Sequence, residues 1–135
     1  MMAALEAARD ALAKIEGLAQ IGDEVSCKIG LEADISPAQY PLIRIVPTRV
    51  VPGRPYHQRT AEITIIFGAQ IADSEGLETV YAGLFELEAS ILAVCKAQGW
   101  RYLDTITEPN PFEAPRAYKL LGVRVEMPAA NSAPA

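Results

Sequence analysis

The residues with types suited to chemistry are few. The chain has one histidine, His57, and two cysteines, Cys27 and Cys95. A lone histidine is what a general base or the partner of a nucleophile would have to be. It lies, however, in Val51-Pro52-Gly53-Arg54-Pro55-Tyr56-His57-Gln58, a run of turn residues that sets neither a nucleophile nor an orienting carboxylate beside it. A solvated loop or interface residue is the simpler reading. The cysteines lack CxxC spacing and fall on apolar positions, so they read as small buried hydrophobes and not as a disulfide or zinc site. Glu86 and Glu88 are two apart on a helical stretch and face different ways, which spoils them as an acid and base pair. Asp104, Glu108 and Glu113 are close enough in sequence to hold a hard cation, but they lack the regular oxygen-ligand spacing of a calcium loop. Neither a glycine-rich phosphate cradle nor a nucleophile elbow occurs. The expectation is a protein without a catalytic residue, metal or cofactor.

The positive signal lies elsewhere. Arg49, Arg54, His57 and Arg59 concentrate positive charge, with Tyr56, Pro52 and Pro55 among them, on a chain of 12 basic and 17 acidic residues. Charged tips protect sheet edges from pairing, which is one account of this stretch. The other is a semi-rigid arm that docks on an acidic surface of a neighbouring subunit, with arginine and tyrosine as anchors and proline reducing the entropy lost on docking. Arg49, Arg54, Tyr56, His57 and Arg59 are therefore the candidate interface residues.

The elements that would position this arm follow from periodicity. Leu5, Ala8, Leu12 and Ile15 recur at helical steps within residues 2–17, with Gly17 as a stop. Val25, Cys27 and Ile29 alternate with polar residues, as in a half-buried strand ending near Gly30. Residues 41–50 read as a strand, and Pro47 inside it removes a ladder donor, which predicts an edge or a bulge there. Residues 59–70 carry the strongest strand signal, with Ile63, Ile65 and Phe67 on one face. The two strands make a hairpin with a long tip. Leu77, Val80, Leu84, Leu87, Ile91 and Cys95 mark a helix over 75–98, closed by Gly99. Residues 100–107 and 117–127 read as closing strands around a Pro-rich loop.

The order is α-β-β-β-α-β-β. It predicts an α+β fold in which two helices pack on one face of a mostly antiparallel sheet of four or five strands. Residues 1–127 form one domain in this reading, and residues 128–135 a flexible Ala/Pro-rich tail. A net charge of −5 without a run of Lys or Arg makes nucleic acid an unlikely primary partner. The start of the chain is not a signal peptide, and no apolar stretch approaches a membrane span, so a cytoplasmic site of synthesis and assembly is expected.

The helix, the early strand, the hairpin opening with Tyr40-Pro41-Leu42-Ile43-Arg44-Ile45, the long helix after Ala72-Asp73-Ser74-Glu75 and the two closing strands resemble the tail-terminator proteins of long-tailed phages, over residues 3–127. The resemblance lies in element order, length and texture. It implies a ring, typically of six subunits, that caps the tail tube, stops its polymerisation and offers a surface to the head-tail connector, with localisation in the virion tail. DNA would pass through an acidic bore that repels it. No catalytic residue or cofactor comes with it. The alternatives are a head-to-tail joining or neck protein, a small ligand-binding or regulatory module with a pocket between helices and sheet, and an enzyme using His57.

Overall fold

The computed structural model describes residues 1–53, 59–71, 76–107 and 118–128. Helix α1 (Met2–Leu12) buries Leu5, Ala8 and Leu12, one face at helical spacing. It stops short of the expected residue 17. The Ile15 amide donates to Leu12 O at 3.1 Å in a tightened turn, and Gly17 takes a φ of 95°, so the apolar stripe continues as a turn and not as helix. Next come β1 (Gln20–Ile21) and β2 (Glu24–Val25), a small antiparallel ladder, and then β3 (Cys27–Ile29). The single strand expected from Val25 to Gly30 is thus two short ones. Residues 30–41 carry a 3-10 turn (Pro37–Gln39) and lead to β4 (Leu42–Val51).

Five strands pair in the order β3-β4-β5-β7-β6, with β5 (Thr60–Gln70), β6 (Arg101–Ile106) and β7 (Tyr118–Pro128). Every pairing is antiparallel except β3 with β4. That parallel pair is possible because residues 30–41 form a crossover of about a dozen residues. The fold is the α+β architecture read from the sequence, with a mostly antiparallel sheet.

Helix α2 (Leu77–Gln98) buries Val80, Leu84, Ile91 and Cys95, and ends at Gly99, whose φ of 75° lets its amide cap the last turn on Cys95 O and Lys96 O. Both helices join one hydrophobic cluster with Ile43, Ile45, Ile63, Ile65, Phe67, Val123 and Val125. The register sets Ile43, Phe67 and Leu121 in one row and Ile45, Ile65 and Val123 in the next, so this cluster occupies one face of the sheet. Cys27 and Cys95 lie in it as free, buried thiols, and burial pushes each up to about 11. No described helix is long and apolar enough to cross a membrane.

Candidate functional site: the β4–β5 hairpin, the helix-free sheet face and a groove beside α2

The hairpin owes its geometry to Pro47. Pro47 pairs with Ile63 and Arg49 with Glu62, which leaves Thr48 as an extra residue in a bulge. The Thr48 hydroxyl donates to Glu62 O at 2.8 Å and holds the bulge shut. Both alternatives that Pro47 raised are present, because β3 pairs with β4 no further than Ile45. From Val46 to Val51 the outer edge of β4 has no strand beside it among the described residues. Arg49, Val50 and Val51 are exposed there. Arg49 makes no ion pair among the described residues, whereas Arg59, half-buried just before β5, is engaged. Arg54, Tyr56 and His57 lie outside the described residues. Of the five candidates, then, Arg49 and Arg59 are placed at the base of the hairpin.

The face of the sheet opposite the helices divides into three parts. Near the hairpin, a charged ladder crosses the strands: Arg124 on β7 binds Glu62 on β5 at 2.7 Å and Asp104 on β6 at 3.0 Å, and Arg101 reaches Glu126 at 3.4 Å. Glu62 and Glu126 are direct cross-strand neighbours, a repulsive placement that the two arginines offset. The Glu62 hydrogen bond holds the Arg124 guanidinium still more firmly protonated than usual. Asp104 is thereby a structural partner of Arg124. Glu108 and Glu113, its proposed companions around a cation, lie outside the described residues, as does the Pro-rich loop.

Further along, Gly122 leaves a shallow hollow of about 240 Å³ lined by Thr64, Ile66, Ile106 and Leu120. The β3–β4 side is covered by residues 31–41. Here Arg44, fully buried, donates through Nε and Nη2 to the Glu32 carboxylate at 2.6 and 3.1 Å, and through Nη1 to Ser26 Oγ at 3.2 Å and Ile43 O at 2.9 Å. Its Nη2 also donates to Gln39 Oε1 at 3.2 Å. This ion pair holds the Glu32 carboxyl below its ordinary range. Strand alternation turns Arg44 away from Ile43 and Ile45, but it does not reveal that a loop closes over it. Tyr40 stacks on Tyr118 at 5.5 Å at the far end of the same cover.

A second depression lies at the end of the sheet away from the hairpin. The turn after α1 and the middle of α2 flank a groove of about 270 Å³, with Leu84, Leu87, Ala69 and Pro41 as apolar walls and Glu16 and Glu86 exposed at its rim. In the sequence Glu86 stands out only as half of an unsuitable acid and base pair, and Glu16 not at all. No signal in the chain pairs them, since they come from separate elements. A third depression, beside Cys27, Arg9 and Lys28, is wider at about 460 Å³ and open.

Among the described residues no three His, Cys, Asp or Glu side chains converge as a metal site. The surface presents an unpaired strand edge, a helix-free sheet face and an acidic-rimmed groove. No protein-family model matches the chain, and no curated protein matches it.

Proposed function

We propose that the chain is a structural subunit that assembles into a closed ring at the end of a phage tail tube, where it stops tube growth and presents the surface on which the head-tail connector docks. The observation that carries this reading is the open outer edge of β4 over Val46–Val51, with Arg49, Val50 and Val51 exposed on it. Beyond the bulge, Arg49–Val51 is an unpaired edge that another chain can extend, whereas Pro47, which has no amide, and the bulge at Thr48 interrupt the edge behind it. The element order that carries the resemblance to tail terminators supports the same reading, since the helix, the hairpin, the long helix and the closing strands occur in that order.

Its partners are copies of itself, the tail-tube protein and the connector protein, and its place is the virion tail, assembled in the host cytoplasm. The net charge of −5 per chain is multiplied by ring closure, which would discourage passing DNA from adhering to the bore. In this role the protein performs no catalysis and needs no cofactor.

Native mass spectrometry and negative-stain microscopy of the purified chain, alone and with tail tubes, test the proposal. Ring-shaped oligomers or decoration of tube ends are expected. A chain that stays monomeric at micromolar concentration and ignores tube ends overturns it.

A further inference from the structure

The hairpin and the acidic-rimmed groove lie at opposite ends of the strands. Pro41 immediately precedes β4 and Ala69 is near the end of β5, and both line the groove, whereas Val51 and Thr60 close the other ends of the same two strands. A strand of ten residues at about 3.3 Å per residue separates the two patches by roughly 30 Å. One chain therefore cannot seat its own Arg49–Val51 segment in its own groove. Two chains can, and the contact would be heterologous, the kind that closes into a ring when the rotation between subunits allows it.

The two patches are complementary in charge and in apolar character. At the hairpin, Arg49 and Val51 sit on the side of β4 that carries their cross-strand partners Glu62 and Thr60, and both are exposed. Glu62 is taken up by Arg124, which leaves the Arg49 guanidinium without an ion pair among the described residues. At the groove, the Glu16 and Glu86 carboxylates likewise form no ion pair among the described residues. Leu84 and Leu87 supply an apolar floor. At about 270 Å³ the groove has room for a pair of side chains and falls just below the size at which pockets for drug-sized ligands begin, about 300 Å³.

We propose that this groove receives the Arg49–Val51 segment of a second copy of the chain, with the Arg49 guanidinium between Glu16 and Glu86 and the Val51 side chain on the leucine floor. This rests on the ring reading above and names the contact that would close the ring. A forked guanidinium suits two carboxylates from different elements, since it donates to both at once.

The test uses the full chain and the fraction assembled as a function of concentration, read by native mass spectrometry, with circular dichroism as the control for folding. Arg49→Glu and Glu86→Arg should each raise the concentration of half-assembly about tenfold or more, the lower end of the coupling seen for close interfacial charge pairs. The double variant carrying both reversals should assemble better than Arg49→Glu alone, because one like-charge contact becomes an opposite one, while Glu16 still faces the new glutamate and keeps it short of wild type. All three variants should fold, because Arg49 and Glu86 are exposed and outside the core. Should the wild type assemble while Glu86→Arg assembles equally well, or the double variant no better than Arg49→Glu alone, the groove is not the seat of the Arg49–Val51 segment and the ring reading survives. A wild-type chain that never assembles removes the ring reading itself, and with it this contact.

Discussion

Arg44 is the residue whose loss should be felt most. Arg44→Ala removes a fully buried side chain that holds Glu32, Ser26, Gln39 and the Ile43 carbonyl together. Deleting one partner of a buried pair costs about 3–5 kcal/mol when the other charge is left buried. The Glu32 side chain is 37% exposed and regains water, so the electrostatic part falls below that range. To it is added the packing of the aliphatic stem, at about 0.8 kcal/mol for each buried methylene. A loss of about 3–4 kcal/mol follows, a large share of the 5–15 kcal/mol typical of a domain. Arg44→Met keeps the stem and should lose only about 1–2 kcal/mol, mainly from the Ile43 carbonyl left without its side-chain donor. Urea denaturation of the three proteins at pH 7 measures both numbers. The Arg44→Ala variant should also assemble less well, because the segment that Arg44 anchors ends at Pro41, a wall of the α2 groove. An Arg44→Ala protein within 1 kcal/mol of wild type, or an Arg44→Met protein as unstable as Arg44→Ala, would refute the reasoning.

Two further outcomes are expected. Because Arg44 holds the Glu32 carboxyl below its ordinary value of 4.5, the pair contributes stability that is present above that value and is lost as the pH falls through the lower folded-state value. Glu32→Gln should therefore lower stability at pH 7 and flatten its decline below about pH 4.5, as read from urea midpoints across that range; an unchanged acid limb would contradict the ion pair. Cys27 and Cys95, both buried and both with thiols pushed up to about 11, should resist an aromatic disulfide reagent at pH 8 in the folded protein and react fully in denaturant. Rapid labelling of either in the native state would show that α1 or α2 opens readily.

Most of the elements are legible in the chain because each carries its own periodicity. Ile63, Ile65 and Phe67 alternate in β5, and Val80, Leu84 and Ile91 recur at helical steps in α2, and all six are buried in the one core cluster between the helices and the sheet. Pro47 was informative for the same local reason, since a missing amide cannot join a ladder whatever the fold around it. The arginine-rich hairpin was legible as a charge cluster, although Arg54, Tyr56 and His57 fall outside the described residues.

What the chain could not disclose are relations between segments distant along it. Alternation assigns Arg44 to the helix-free face, and an arginine there reads as solvated. Only the crossover of residues 30–41 buries it, by bringing Glu32 and Gln39 onto the strand. The parallel pairing of β3 with β4 has the same origin, because residue patterns record which side of a strand is apolar but not the direction of its neighbour. The groove rimmed by Glu16 and Glu86 joins residues that are seventy positions apart, and its opposition to the hairpin is a fact of strand direction alone. Composition and periodicity determined the elements and pointed to the hairpin; the tertiary structure alone decided which edge of β4 stays open and which surface lies at the other end to meet it.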